Sequence, residues 1–312
     1  MEELRENQVY SFDPPDFFSD AYTFQEVISI PKRARGTRRI LVFKAVRNDD
    51  GYEVAVRCMP STLREGDQEL AEQQLATLKE IQKMRKQLKL QCIVKLHGYC
   101  KINSDPFATY APQESDLPPL LPGTFYWNVI MDYIPKGYKT LSQKKMNWDM
   151  IIVFLVDLLY TIWQARRHFQ FYHGDIHQEN IMFLSLGEWE QTRTYNIEGM
   201  QFKVKAPYLP VLVDFELSRF GGNKREFHSD VQDIVSALDY IAVKEHKLKA
   251  LRSYDRLREQ VVGIRGFPAF EDSRFTPEKI VQILHTHPLF ENLRTPIQGG
   301  EEPPLTKYKK NM

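Results

Sequence analysis

The chain has 312 residues, of which 42% are apolar and 12% aromatic, so it can bury the core of one large or two small domains. Its 42 basic side chains nearly balance 41 acidic ones, and the formal charge of +1 gives no overall bias toward nucleic acid or a membrane surface. Three cysteines are too few and too irregularly spaced for a disulfide framework or a four-ligand zinc site. They favour a reducing intracellular setting, cytoplasm or nucleus.

Neither a secretory signal nor a membrane span is expected. The first residues, MEELRENQ, are acidic and polar. The longest apolar run, residues 150–163, is too short to cross a bilayer and carries Asp157 in its middle. A soluble protein without a membrane partner is the expectation.

The first part of the chain predicts a small antiparallel sheet and one long helix. Residues 22–59 contain three extended segments, with hairpin-turn residues at 48–51. Residues 66–91 have apolar side chains three or four apart, which predicts an amphipathic helix. A strand at 93–102, a loop at 103–123 with five prolines, interpreted as a surface insertion, and a strand at 125–134 follow.

The second part predicts mainly helices. Residues 148–168 form a strongly apolar helical pattern. Two β-like segments, 181–186 and 210–217, flank a polar stretch at 186–207 that is interpreted as an insertion. Helical patterns return at 229–262 and 277–286, before a tail rich in proline, glycine and lysine from residue 295.

The stretch YHGDIHQENIMF, residues 172–183, concentrates polar chemistry directly after the apolar helix. On its own it has three interpretations: a phosphotransfer loop, a polar turn without chemistry, or a metal site made by His173, Asp175 and His177. Its surroundings favour the first. Asn180 follows Asp175 by five residues, and a later apolar strand ends in Asp214 and Phe215.

This order and spacing resemble the protein-kinase signature H-R-D-x-x-x-x-N followed by D-F-G. The resemblance covers roughly residues 22–292 and implies that ATP and Mg²⁺ are bound. It implies that Asp175 accepts the proton of the substrate hydroxyl, while Asn180 and Asp214 hold the magnesium ion. Carboxylate and amide oxygens suit that ion.

Other segments match the same family in order. Arg57 stands where the family carries a lysine on its third strand, and Glu80 is the predicted partner that helps it orient the phosphates, with Glu72 as the reserve. Lys44, on the preceding strand, is a possible substitute for the missing lysine. The resemblance also implies an adenine pocket lined by Met131, Asp132, Tyr133 and Ile134.

The departures from the family are also informative. The glycine-rich loop is reduced to one glycine among five basic residues at 32–39. Gly174 replaces the arginine that often grips a phosphorylated segment, so regulation by that route is not expected. Glu216 replaces the glycine after Asp-Phe, and no A-P-E motif follows.

His177, two residues after Asp175, and Leu-Ser-Arg after the second motif resemble the haspin group of atypical protein kinases. His177 is therefore expected either to contact the transferred phosphate or to brace the loop. Asp233 is the predicted helix residue that anchors the loop through backbone hydrogen bonds. Asp230 is the competing candidate, for which a helix N-cap is preferred.

Together these features predict an α+β fold of the two-lobed protein kinase type. A small antiparallel sheet with one long helix would form the N-lobe, residues 22–134, and a mainly helical C-lobe would span 135–294. Residues 1–21 and 295–312 would be an extension and a flexible tail. The expected activity is an atypical serine/threonine protein kinase acting on a protein substrate, with no nucleic acid partner expected. A pseudokinase scaffold and a small-molecule phosphotransferase of the aminoglycoside or choline kinase kind are the alternatives.

Overall fold

A computed structural model of the chain describes residues 21–29, 40–61, 67–102, 125–135, 137, 147–187, 191–221, 224–242, 252–264, 267–268 and 277–297. The basic stretch at 32–39, the proline-rich loop at 103–123 and the tail beyond residue 297 lie outside the described residues. The chain divides into two compact units. The first takes Met1–Lys89 and Val94–Pro135, and the second takes Leu90–Ile93 and Lys136–Met312.

The first unit contains a five-stranded antiparallel sheet with strand order β1-β2-β3-β5-β4. Its strands are β1 Tyr22–Ser29, β2 Leu41–Arg47, β3 Glu53–Ser61, β4 Leu96–Ile102 and β5 Phe125–Asp132. The predicted turn joins β2 to β3, where Gly51 adopts a φ of 72° that favours glycine.

The two faces of this sheet bury different sets of side chains, because neighbouring residues of a strand point to opposite faces. One face carries an apolar cluster that includes Phe43, Val56 and Tyr126. The other face is covered by helix α1, Asp67–Leu88, whose Ala71 and Leu75 pack against β3 and β5. Helix and sheet therefore share one core, as the apolar spacing of residues 66–91 predicts.

The second unit is built around helix α2, Trp148–Phe169. Asn147 caps its first turn by accepting a hydrogen bond from the Met150 N–H at 3.0 Å, and Gln170 ends it in a left-handed conformation. The helix is longer than the apolar run at 150–163, and its length and composition would allow it to cross a membrane. However, 72% of its apolar window is buried inside the protein, as in the core helix of a folded domain.

The stretch at 186–207, interpreted from the sequence as a polar insertion, contains a β-hairpin that the sequence did not predict. Strands β7, Gln191–Ile197, and β8, Met200–Ala206, pair with each other, and β12, Arg294–Pro296, pairs with β8. A buried ion pair fixes the hairpin to α2. Arg193 donates from Nε and Nη2 to the two oxygens of Asp157 at 3.0 and 2.7 Å, and the Tyr195 hydroxyl donates to the same carboxylate at 2.6 Å.

The remaining elements complete the second unit. Strands β6, Ile181–Ser185, and β9, Tyr208–Leu212, form a two-stranded antiparallel ladder. The helical pattern at 229–262 is two helices, α3 Lys224–Tyr240 and α4 Arg252–Val262. Next come the short strands β10, Gly263–Ile264, and β11, Phe267–Pro268, the helix α5, Pro277–Thr286, and a 3₁₀ turn, Pro288–Leu293. The chain is thus a mixed α+β protein with a multi-stranded antiparallel sheet.

Candidate functional site

The YHGDIHQENIMF stretch follows α2 and ends inside β6, which pairs with β9, the strand that precedes Asp214. The main chain links the two segments directly, because the Val213 N–H donates to the Asn180 carbonyl at 3.0 Å. Leu212 in turn donates to the Cys92 carbonyl at 2.8 Å. Residues far apart in sequence are therefore brought together at one end of a short ladder.

His173 is fully buried and uses both ring nitrogens inside the protein. Its Nδ1 atom accepts the Asp175 N–H at 3.3 Å, so Nε2 carries the proton and donates to the Val213 carbonyl at 3.2 Å. Burial lowers the pKa of His173 to about 4, and the ring is neutral at pH 7. His173 thus joins the residue before Asp214 to Asp175, and it is not available as a metal ligand.

Asp230, on α3, anchors the loop, and the preference for Asp233 was wrong. The Asp230 carboxylate accepts the His173 N–H at 2.8 Å and the Gly174 N–H at 3.0 Å. Helix α3 begins at residue 224 rather than 229, so Asp230 lies inside the helix and is not its N-cap. Asp233 is half-buried one turn later, where burial raises its pKa to about 6 and the nearby Asp175 charge adds to that rise.

Gly174 occupies a position that other residues cannot adopt without strain. Its φ is 85°, and a Cβ atom there would lie only 2.7 Å from the Leu217 carbonyl oxygen. Glycine at position 174 therefore has a local steric reason in this chain.

Asp175 and Asn180 are in direct contact. The Asn180 Nδ2 group donates to the Asp175 carbonyl at 2.9 Å and to its carboxylate at 3.3 Å. This leaves Oδ1 of Asn180 as the amide atom that a cation could bind. The Asp175 carboxylate is 43% exposed, so an incoming hydroxyl group could reach it.

His177 braces the loop, which is one of the two roles that the sequence left open. Its Nδ1 atom accepts the Glu179 N–H at 3.2 Å, which braces the loop. Its Nε2 atom lies 3.7 Å from the Asp175 carboxylate, and the ring is 40% exposed. It therefore supports the position of Asp175 and also reaches solvent.

Asp214 has a φ of 61°, which is uncommon for a residue other than glycine. Backbone strain of this kind is often found at functional sites. An Asp carboxylate and an Asn amide oxygen are hard ligands that fit Mg²⁺ with phosphate oxygens completing its coordination. Within the described part of the chain, no group of three or more His, Cys, Asp or Glu side chains is arranged to hold a metal, so the three-residue site of His173, Asp175 and His177 is not formed.

In the first unit, Arg57 and Lys44 lie on the same face of the sheet. Arg57 pairs with Val42 across β2 and β3, and Lys44 pairs with Ala55, two residues along β3. Arg57 is half-buried on the face that α1 covers. Lys44 forms an ion pair with Glu53 at 2.5 Å and lies over the Tyr133 ring at 4.7 Å. The hydrogen bond to Glu53 raises the pKa of Lys44 and keeps it charged.

The predicted pairing of Arg57 with Glu80 is not found among the described contacts. Glu80 is exposed on α1 and pairs with Lys83, three residues further on, at 3.4 Å. The reserve candidate, Glu72, is also exposed. The spacing to the following strand identified the helix correctly but not the side of the helix on which Glu80 lies.

The segment predicted to hold adenine, residues 131–134, begins with the last two residues of β5. The Asp132 side chain is occupied within the first unit, because its Oδ1 atom is 2.6 Å from His97 Nε2 and accepts the Tyr52 hydroxyl at 3.0 Å. Burial alone would raise the pKa of Asp132, but these contacts outweigh it and the pKa is lowered. Met131 and Tyr133 are half-buried, and Ile134 is buried.

No known protein-family model matches the chain. The chain is similar to the protein named "Probable kinase 098L" of Invertebrate iridescent virus 3, with 28% identity over 94 residues. The match takes in 30% of this chain and 18% of the viral protein, so the chain spans less than a fifth of that relative's length. The similarity suggests a kinase-like family at most.

Proposed function

We propose that the protein is an ATP-dependent phosphotransferase, an atypical haspin-like kinase that transfers the γ-phosphate of ATP to a serine or threonine hydroxyl of a protein substrate. One observation carries the proposal: Asp175, Asn180 and the end of β9 form a single hydrogen-bonded unit. The limited similarity to the viral "Probable kinase 098L" agrees with phosphotransfer.

Each residue of this unit has a role in the proposed mechanism. Asp175 accepts the proton of the substrate hydroxyl, and the Asn180 amide keeps its carboxylate in one orientation. Asn180 Oδ1 and the Asp214 carboxylate would hold Mg²⁺, which neutralises phosphate charge when it is bound. The exposed Nε2–H group of His177, close to Asp175, would donate to an oxygen of the transferred phosphate. Most of the rate enhancement would come from positioning and charge stabilisation.

The proposed setting is the interior of the cell, in the cytoplasm or nucleus, with a protein substrate as the partner. Cys58, Cys92 and Cys100 are buried thiols. Burial raises the pKa of Cys100 to about 12, which makes that thiol unreactive, and a reducing compartment suits such residues.

The test is transfer of labelled γ-phosphate to the protein itself and to a generic protein substrate. Asp175→Ala should reduce transfer by about 10²–10⁴-fold, the usual contribution of a general base, while the thermal unfolding curve is kept. Glu179→Gln is the matched control, because Glu179 is an exposed acid of the same loop. Unchanged transfer by Asp175→Ala would refute the proposal.

A pseudokinase scaffold is the second candidate, and the pairing of cations in the first unit favours it. Lys44 forms an ion pair with Glu53, and Glu80 pairs with Lys83 on the exposed side of α1. Thermal shift with Mg²⁺ and ATP should be compared with turnover in the wild type and in Arg57→Lys. Binding without turnover, or turnover gained only with lysine, would favour the scaffold.

A small-molecule kinase is the third candidate, because the chain between Asp214 and α3 is short and offers little surface to seat a peptide. The same assay with small hydroxyl and amino acceptors separates the two enzyme classes. Labelling of a small acceptor but of no protein would move the proposal to this class.

A further inference from the structure

The segment after Asp214 is bound to the loop before Asp175 by neutral hydrogen bonds. Tyr172 and Arg219 form a pair in which each main-chain N–H donates to the other carbonyl, both at 2.9 Å. Between them, the Ser218 hydroxyl donates to the His173 carbonyl at 2.8 Å. Ser218 is only 8% exposed, so this bond is shielded from water.

Gly174 makes room for the same contact. A Cβ atom on residue 174 would lie only 2.7 Å from the Leu217 carbonyl oxygen, which is too close for a side chain. Gly174 therefore allows the two segments to approach closely, and the Ser218 hydroxyl holds them together with a hydrogen bond.

The contact reaches the proposed metal ligand through a tight turn. The Ser218 N–H donates to the Phe215 carbonyl at 3.2 Å, and the Phe215 ring lies 4.9 Å from the His173 ring. Fixing Ser218 against His173 therefore fixes the turn that begins directly after Asp214. On the other side, His173 holds the Asp175 N–H.

We propose that Ser218 is a positioning residue whose hydroxyl latches residues 214–219 onto residues 172–174 and so keeps Asp214 aligned with Asp175 and Asn180. The catalytic consequence rests on the proposed function, whereas the latch is a property of the folded chain.

The latch is tested by hydrogen exchange without nucleotide. In Ser218→Ala, the amides of Tyr172 and Arg219 should exchange about 5–10 times faster, which corresponds to the loss of one buried neutral hydrogen bond. Ser218→Cys has a side chain of similar shape but is a weak donor, so its exchange rates should lie between those of the wild type and of Ser218→Ala. Ser236→Ala, at an exposed position of α3, is the control and should match the wild type. Unchanged exchange in Ser218→Ala would overturn the latch.

The positioning role is tested by the Mg²⁺ concentration that gives half-maximal binding of ATP. Ser218→Ala should raise it about fivefold with the ATP concentration held constant, since Asp214 is no longer fixed. A role in folding alone would speed exchange and leave this concentration unchanged, which would overturn the positioning role. If the wild type binds no Mg²⁺ and ATP, the proposed function fails and positioning fails with it, while the exchange experiment still decides the latch.

Discussion

The loop around Asp175 and the α1 helix of the first unit differ in where their charged groups lie and in what those groups bind. Asp230 on α3, which anchors the loop, is buried and accepts two backbone hydrogen bonds from loop residues more than 50 positions away. On α1, Glu80 is exposed and pairs with Lys83 one turn away. Buried groups with several partners define one geometry, whereas exposed neighbours contribute little and define almost none. The geometry of the loop around Asp175 is therefore well determined, whereas the exposed pair on α1 determines little of its surroundings.

The largest effect is expected where the second unit buries its ion pair. Asp157→Ala should lower the free energy of unfolding by about 3–5 kcal/mol, because Arg193 is left charged and buried without its partner. Replacing both residues, with Asp157→Leu and Arg193→Met, should recover most of that loss. Chemical denaturation measures both. A loss near zero for the single variant would mean that the hairpin is not held by this pair.

The exposed pair between Arg167 and Glu198, which joins the same helix to the same hairpin, is the control for this experiment. Glu198→Gln should change the free energy of unfolding by less than about 1 kcal/mol, because water screens the pair.

His173 should make the stability of the loop depend on pH. Burial lowers its pKa to about 4 from an ordinary value of 6.5, so its contribution is complete above pH 6.5 and is lost as the pH falls toward 4. A shift of this size corresponds to about 3 kcal/mol. His173→Gln should therefore flatten the curve of unfolding free energy between pH 6.5 and 4.

The carboxylates near His173 act in the opposite direction. Burial raises the pKa of Asp230 to about 7 and that of Asp233 to about 6, so both favour folding at low pH. They are present in wild type and variant, and the difference between the two curves isolates the imidazole. If the curves of unfolding free energy against pH for the wild type and His173→Gln are parallel between pH 6.5 and 4, the expected lowering of the His173 pKa by burial is wrong.

Gly174 should be harder to replace than a glycine that has the same backbone conformation but open space around it. Gly174→Ala should cost about 2–3 kcal/mol, from its positive φ and the overlap with the Leu217 carbonyl. Gly199 has a φ of 82° with nothing within 4 Å of a Cβ atom, so Gly199→Ala should cost about 1 kcal/mol. Equal losses in thermal or chemical unfolding would show that the close approach does not matter.

The smallest effect is expected on α1. Glu80→Gln should change the free energy of unfolding by no more than about 0.5 kcal/mol, because it removes only an exposed pair within one helix. Phosphate transfer should be unchanged as well. A tenfold loss of transfer would restore the predicted role of Glu80 beside Arg57.

The hairpin at 191–206 shows why part of the fold was missed. Its inward positions include the polar residues Arg193 and Tyr195, so the stretch was interpreted as polar. The alternating apolar residues Phe202, Val204 and Ala206 nevertheless indicate a strand. The arginine is buried only because Asp157 on α2 meets it. The sequence showed that Asp157 lies in an apolar helix but not what it binds.

The strands and helices with clear periodicity could be predicted from the sequence alone, as could the loop that carries Asp175 and the positions of Asn180 and Asp214 beside strands. These features are local, so spacing along the chain is enough to reveal them. Tertiary structure alone decided that Asp230 rather than Asp233 binds the loop, that Gly174 admits the Leu217 carbonyl, and that Glu80 faces solvent. Each of these depends on the distance between residues remote in sequence or on the rotation of a helix, and neighbouring positions on one helix cannot be told apart until it is packed.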